Sequence, residues 1–139
     1  MNYLLDTCVL SEFTRRRPDE KVVRWLDQIA DEKLFLNAIT IGEIQHGIQR
    51  LPDSSRKSNL LIWMNNGLIE RFGKRILSLD TATLILWGNL IARMEKSGHP
   101  MPAMDSLIAA TALQHHLTII TRNTNDFQPC GVQLINPWD

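Results

Sequence analysis

Cysteine is scarce in this chain: only Cys8 and Cys130 occur, far apart, and no CxxC or Cys/His spacing suggests a structural zinc site. Reduced thiols in a cytoplasm follow as the default. A chain of 139 residues needs no staples, because a globular protein of that size buries about 68% of the surface its unfolded form exposes. An excess of charge is also missing, with 15 Lys and Arg against 15 Asp and Glu and a net charge of zero. Nucleic-acid binders often carry a positive surplus, so the balance counts slightly against that class, while leaving room for local basic patches. There is no long apolar run. Asp6, Glu12 and Arg15 to Arg17 interrupt anything resembling a signal peptide, and the helical stretches carry charges too often to span a bilayer. Internal repeats and low-complexity linkers are absent as well. The expectation is a cytoplasmic protein, not a membrane one, built as a single domain over residues 1–139.

What is present alternates between short apolar runs and helical patterns. Tyr3 to Leu5, Leu34 to Leu36, Ile76 to Leu79, Leu117 to Ile120 and Val132 to Ile135 read as strands. Between them, Val22, Val23, Leu26 and Ile29 recur at helical spacing, so a helix is expected over Asp19 to Ala30 with Asp19 as its cap. A helical hairpin is expected from Thr40 to about Phe72, interrupted at Asn65-Asn66-Gly67. Asp80 should cap a helix from Thr81 to about Lys96. Ser97-Gly98-His99-Pro100 stops it, and a helix rich in small residues follows from Met101 to Ala112. Strands alternating with helices imply parallel pairing. The fold class is therefore α/β, a three-layer α/β/α sandwich around a mostly parallel central sheet of four to five strands.

The acids fall at telling places. Asp6 ends the first strand, Glu43 lies at the start of the helix after the second, Asp105 is in the first turn of a later helix, and Asn123 and Asp126 follow the fourth strand. Parallel strands bring those positions to one edge of the sheet, where α/β proteins keep their ligand crevices. Each has a purely structural reading beside this one. Thr40-Ile41-Gly42-Glu43 matches a capping box, Asp105 can complement a helix N-terminus, and Asp126 can serve a turn. Asp6 resists such a reading, since a carboxylate at a buried strand's end loses hydration and needs compensation. A divalent cation would explain the whole set: Mg²⁺ or Mn²⁺ prefers hard oxygen ligands and can activate water for phosphodiester hydrolysis. No Ser/His/Asp spacing competes, and His46, His99, His115 and His116 share no ligand spacing with the acids. Arg15-Arg16-Arg17 reads as a solvated loop that in a nuclease could meet phosphates.

Leu5-Asp6-Thr7, Thr40-Ile41-Gly42-Glu43, Met104-Asp105-Ser106-Leu107-Ile108-Ala109-Ala110 and Thr121-Arg122-Asn123-Thr124-Asn125-Asp126-Phe127, in that order, resemble the PIN-domain pattern over nearly the whole chain. The likeness is greatest to the VapC toxins of VapBC toxin–antitoxin pairs, including their FitB-like branch. That resemblance implies a Mg²⁺- or Mn²⁺-dependent endoribonuclease, a VapB-like antitoxin partner, a homodimer, and contact with operator DNA only through the antitoxin complex. It assigns Asp6 and Asp105 to direct metal coordination and Glu43 to the metal or its water. It also places an antitoxin groove on the helical hairpin, around Ile48, Leu61 and Trp63. Two departures stand out. Cys8 occupies a position where relatives often have Asn, and Asn123 stands where a fourth acid is usual, with Asp126 three residues on as a substitute. A catalytically weak PIN-like binding module, acting through RNA or its antitoxin, is the alternative. A phosphoacceptor receiver and a haloacid-type phosphatase are disfavoured, because Asp6-Thr7-Cys8 lacks the second acid both require.

Overall fold

The computed structural model describes residues 1–139. Its strands are β1 (Tyr3–Leu5), β2 (Leu34–Asn37), β3 (Ile76–Leu77), β4 (Thr118–Ile120) and β5 (Leu134–Ile135), forming one five-stranded sheet in the order β3-β2-β1-β4-β5. Every pairing is parallel. The helices are α1 (Thr7–Glu12), α2 (Glu20–Asp27), α3 (Ala38–Gln49), α4 (Ser55–Ile62), α5 (Ile69–Phe72), α6 (Thr81–Lys96), α7 (Ala103–His115) and α8 (Thr124–Phe127). No helix is long and apolar enough to cross a membrane.

The strand period of two sorts the core into two layers. Leu5 and Ile120 point to one face, where Val9, Val22, Ile44 and Met64 cover them. Leu4 and Ile119 point to the other, against Leu90, Ile108 and Phe127. Helices α1 to α5 therefore close one side and α6 to α8 the other. On the second side α7 packs tightly because its buried residues are mostly small, Ser106, Ala109, Ala110 and Ala112 among them.

Local chemistry explains most boundaries. Asp19, Ser54 and Asp80 each accept a backbone N–H at the start of α2, α4 and α6. Helix α2 stops at Asp27, short of the expected Ala30. The Asn65-Asn66-Gly67 interruption does not break the second arm of the hairpin; it lies in a π-helical turn, Trp63–Leu68, between α4 and α5. The segment Thr121 to Phe127, in which Asp126 could have served a turn, contains the short helix α8.

One boundary differs in a way that bears on the site. The capping box at Thr40 does not form, because Asn37 caps α3 three residues earlier, its Oδ1 accepting from Ile39 N at 2.7 Å. Asn37 is fully buried and also donates through Nδ2 to Thr111 Oγ1 on α7. This second bond, unavailable to Thr40, ties the start of α3 to α7. Thr40 is left inside the first turn with a buried hydroxyl that finds no partner, and Glu43 falls in the second turn, freed from capping.

Candidate functional site

Sheet order places β1 at the topological switch point, with β2 and β3 on one side and β4 and β5 on the other. A crevice is expected outside the carboxyl ends of the strands at such a point. Register decides what meets there. Leu5 pairs with Ile120, and Asp6 N donates to Ile120 O at 3.0 Å, so Asp6 and Thr121 leave the sheet side by side.

Asp6 is 5% exposed, and both of its oxygens are engaged. Oδ1 accepts from Thr7 N at 2.9 Å, capping α1, and Oδ2 accepts from Thr121 Oγ1 at 2.7 Å. The Cys8 thiol lies 3.8 Å from Asp6 Oδ2 and 3.6 Å from Thr121 Oγ1, while Arg122 N donates to its sulfur at 3.5 Å. Burial, and secondarily the charge of Asp6, raise the thiol's pKa, so Cys8 stays protonated. At the position where Asn is common, it thus supplies weak polar contact without a thiolate.

Glu43 reaches across from α3. Its Oε1 accepts from Thr7 Oγ1 at 2.7 Å, so one residue binds both acids, Asp6 through its N–H and Glu43 through its hydroxyl. Asp105, half-buried in the first turn of α7, has its carboxyl pushed up to about 6. Desolvation is the largest cause, followed by repulsion from Asp6, Asp126 and Glu43. The helix N-terminus would pull the other way. The upward direction shows that burial and repulsion win.

That same repulsion shows which residues the fold gathers: Asp6, Glu43 and Asp126 all lie near enough to Asp105 for their charges to act on it. Asp126 is exposed on α8. Asn123, also exposed, precedes α8 without a side-chain cap bond, and it is its backbone N–H that joins the site's network, donating to Thr121 Oγ1 at 3.0 Å. Thr121 is fully buried and holds Asp6, Asn123 and Cys8 together.

As the side chains lie, no three His, Cys, Asp or Glu residues are grouped so that together they could hold a metal ion. The donors on offer are carboxylate and threonine oxygens around an acid that repulsion disfavours. That set suits a hard divalent cation, and Mg²⁺ in particular keeps several waters and takes only one or two carboxylates. Residues that sequence reasoning missed act around this group. Thr7 belongs to the Leu5-Asp6-Thr7 motif but no role follows for it from sequence, Asn37 reads only as the exit from the second strand, and Glu12 carries no recognisable motif. Glu12 is 2% exposed and receives bonds from Arg15, Arg122, the Asp19 N–H and Trp138 Nε1.

An all-parallel sheet with carboxylates at its switch point defines a class of α/β proteins with an acidic crevice. Within that class the chain belongs to the PIN-domain family, whose profile matches residues 3–128. It is similar to Toxin FitB of Neisseria gonorrhoeae, with 37% identity over 135 residues covering 97% of each chain. It is also similar to VapC ribonuclease Y4jK of Sinorhizobium fredii, with 32% identity over 136 residues covering 98% of this chain and 97% of that protein. Among solved structures it superimposes on FitAcB from Neisseria gonorrhoeae with a TM-score of 0.94, at 37% identity and 98% coverage of both chains. A structure of FitAB bound to an IR36 DNA fragment gives a TM-score of 0.94 at 36% identity, covering 99% of this chain and 96% of that one.

Proposed function

We propose that this PIN-domain protein is a Mg²⁺- or Mn²⁺-dependent endoribonuclease acting as the toxin of a type II toxin–antitoxin pair. The observation that carries this reading is the set of carboxylates coupled around Asp105 at the sheet's switch point, in a chain whose full-length relatives include a VapC ribonuclease and a toxin. Asp6 and Asp105 would hold the cation and Glu43 would hold it or order a water. When bound, the cation supplies a polarised water and charge stabilisation at the phosphodiester.

The chain's own residues prepare this chemistry. Thr7 and Thr121 fix both oxygens of Asp6, which removes rotational freedom from this buried acid. Thr7 also occupies Glu43 Oε1, which ties Glu43 to the residue whose N–H donates to Asp6. Asp105 is the acid with most to gain from a cation, since its ionised form is disfavoured near neutral pH. Asp126 adds negative charge at the rim, in the role that Asn123 lacks the charge to fill.

Purified protein with Mg²⁺ or Mn²⁺ should cleave single-stranded RNA. Asp6→Asn and Asp105→Asn should each abolish cleavage while circular dichroism reports an intact fold; normal cleavage by both would remove the proposed site. A second reading, a catalytically weak module working through RNA or its antitoxin, draws on Asn123 and on the lack of three His, Cys, Asp or Glu residues grouped to hold a metal ion. Titration calorimetry separates them, because a module would take up no divalent cation at this edge. The partner is a VapB-like antitoxin, since the superimposable FitAcB and FitAB structures are complexes, and DNA would be reached through it. The working form is a cytoplasmic homodimer of a single-domain chain.

A further inference from the structure

The residues on the α1 side of the acidic crevice form a cluster that the proposed cleavage chemistry does not use. Buried Glu12 binds two guanidinium groups, Arg15 Nη1 at 3.3 Å and Arg122 Nη2 at 3.3 Å. Two cations thus share one carboxylate, so the trio keeps a formal positive charge. Arg122 is further held by stacking over the Trp138 ring, 4.3 Å from its centroid, while Trp138 Nε1 donates to the same Glu12 oxygen at 3.2 Å. These contacts fix the plane of the Arg122 guanidinium without covering it. Its side chain remains 49% exposed and that of Arg15 61%. Of the five N–H donors an arginine side chain carries, Arg122 spends one, on Nη2, on protein.

The cluster is adjacent to the acids. Arg122 directly follows Thr121, which binds Asp6, and its N–H donates to the sulfur of Cys8. A pre-oriented guanidinium fork matches a phosphate, and a ligand able to engage both this fork and a cation held by the carboxylates is a polyanion of repeating phosphates. We propose that Arg122, aimed by Glu12 and Trp138 and flanked by Arg15, contacts a backbone phosphate of the RNA beside the cleaved bond. The inference rests on the ribonuclease reading. It gives the neutral chain a local basic site, and it explains why a carboxylate is buried at the end of α1: Glu12 orients arginines that would otherwise be mobile surface side chains.

The test is the binding of a fluorescent single-stranded RNA to the whole protein in EDTA, followed across a salt series, together with steady-state cleavage in Mg²⁺. Arg122→Ala should weaken binding about tenfold. It should also flatten the slope of log affinity against log salt by about 0.7, the value for one phosphate contact to a single strand. Its cleavage defect should fall on KM more than on kcat, and Arg122→Lys should restore the salt slope. Because Arg122→Ala leaves part of a buried charge uncompensated, the paired variant Glu12→Gln with Arg122→Gln is measured alongside it. The pair should fold normally and show the same RNA defect. Unchanged RNA affinity and salt slope in both would overturn the proposal, as would a loss confined to kcat, or a loss of binding to an acidic peptide with RNA affinity intact. If wild type cleaves RNA and the variants bind it normally, only the role of Arg122 fails. If wild type neither binds nor cleaves RNA, the ribonuclease reading fails with it.

Discussion

Asp105→Asn should make the metal-free protein more stable while it destroys activity. The side chain keeps its shape and loses its charge. Moving a carboxyl from its ordinary 3.8 to about 6 corresponds to roughly 3 kcal/mol of unfavourable interaction in the ionised form. Solvent screening at this half-exposed position reduces that to about 1 kcal/mol, or about 3 °C in melting temperature for a domain of this size. The sign follows from proton counting. The native state holds the Asp105 proton up to about pH 6, whereas the unfolded chain releases it near 3.8, so between those values the native state binds more protons and stability falls as pH rises. The gain from Asp105→Asn is therefore full above pH 6 and vanishes below 3.8. Thermal melts with EDTA at high and low pH measure it. Added Mg²⁺ should reverse the ranking, because a ligand that binds only the native state stabilises wild type by mass action and the variant has lost a ligand. A variant no more stable than wild type in EDTA at pH 8 would refute the argument from desolvation and repulsion at Asp105.

Other expectations follow from single contacts. Thr121→Val deletes a buried hydroxyl that serves Asp6 and Asn123; it should cost about 1–3 kcal/mol in urea unfolding and reduce cleavage sharply, and an active, fully stable variant would show that Asp6 needs no such anchor. Thr40→Val removes a hydroxyl with no partner, so the unfolding midpoint should hold or rise. A loss of about 1 kcal/mol, the usual cost of deleting a cap, would instead restore the capping box.

The strands, the layer order and the caps at Asp19 and Asp80 were legible because each rests on a signal a few residues long. The convergence of Asp6, Glu43 and Asp105 was legible one step further, since parallel strands must bring such positions to one edge. Glu43 shows where short patterns fail. Thr40 and Glu43 satisfy the spacing of a capping box, but Asn37 competes for the same helix start and wins through Thr111, a partner 74 residues away. Glu12 was illegible for the same reason: Arg122 and Trp138 lie 110 and 126 residues along the chain, and nothing beside Glu12 announces them. Asn123 was read as a missing charge, whereas its contribution to the network is a backbone N–H to Thr121, which no side-chain pattern can reveal.

The bond between Asp6 and Thr121 spans 115 residues, and β1 cannot gain its β4 neighbour until that distance has been synthesised. Loop closure over such separations makes parallel sheets slow to complete. Asp6, which precedes Glu43, Asp105 and Asp126 in the chain, thus waits longest for the group that locks it in place. A growing chain carries Asp6 without the hydroxyl that orients it, and the acidic edge is assembled only once the chain has reached Thr121. For a protein proposed to cut RNA, the fold itself delays the blade until Thr121 has been made.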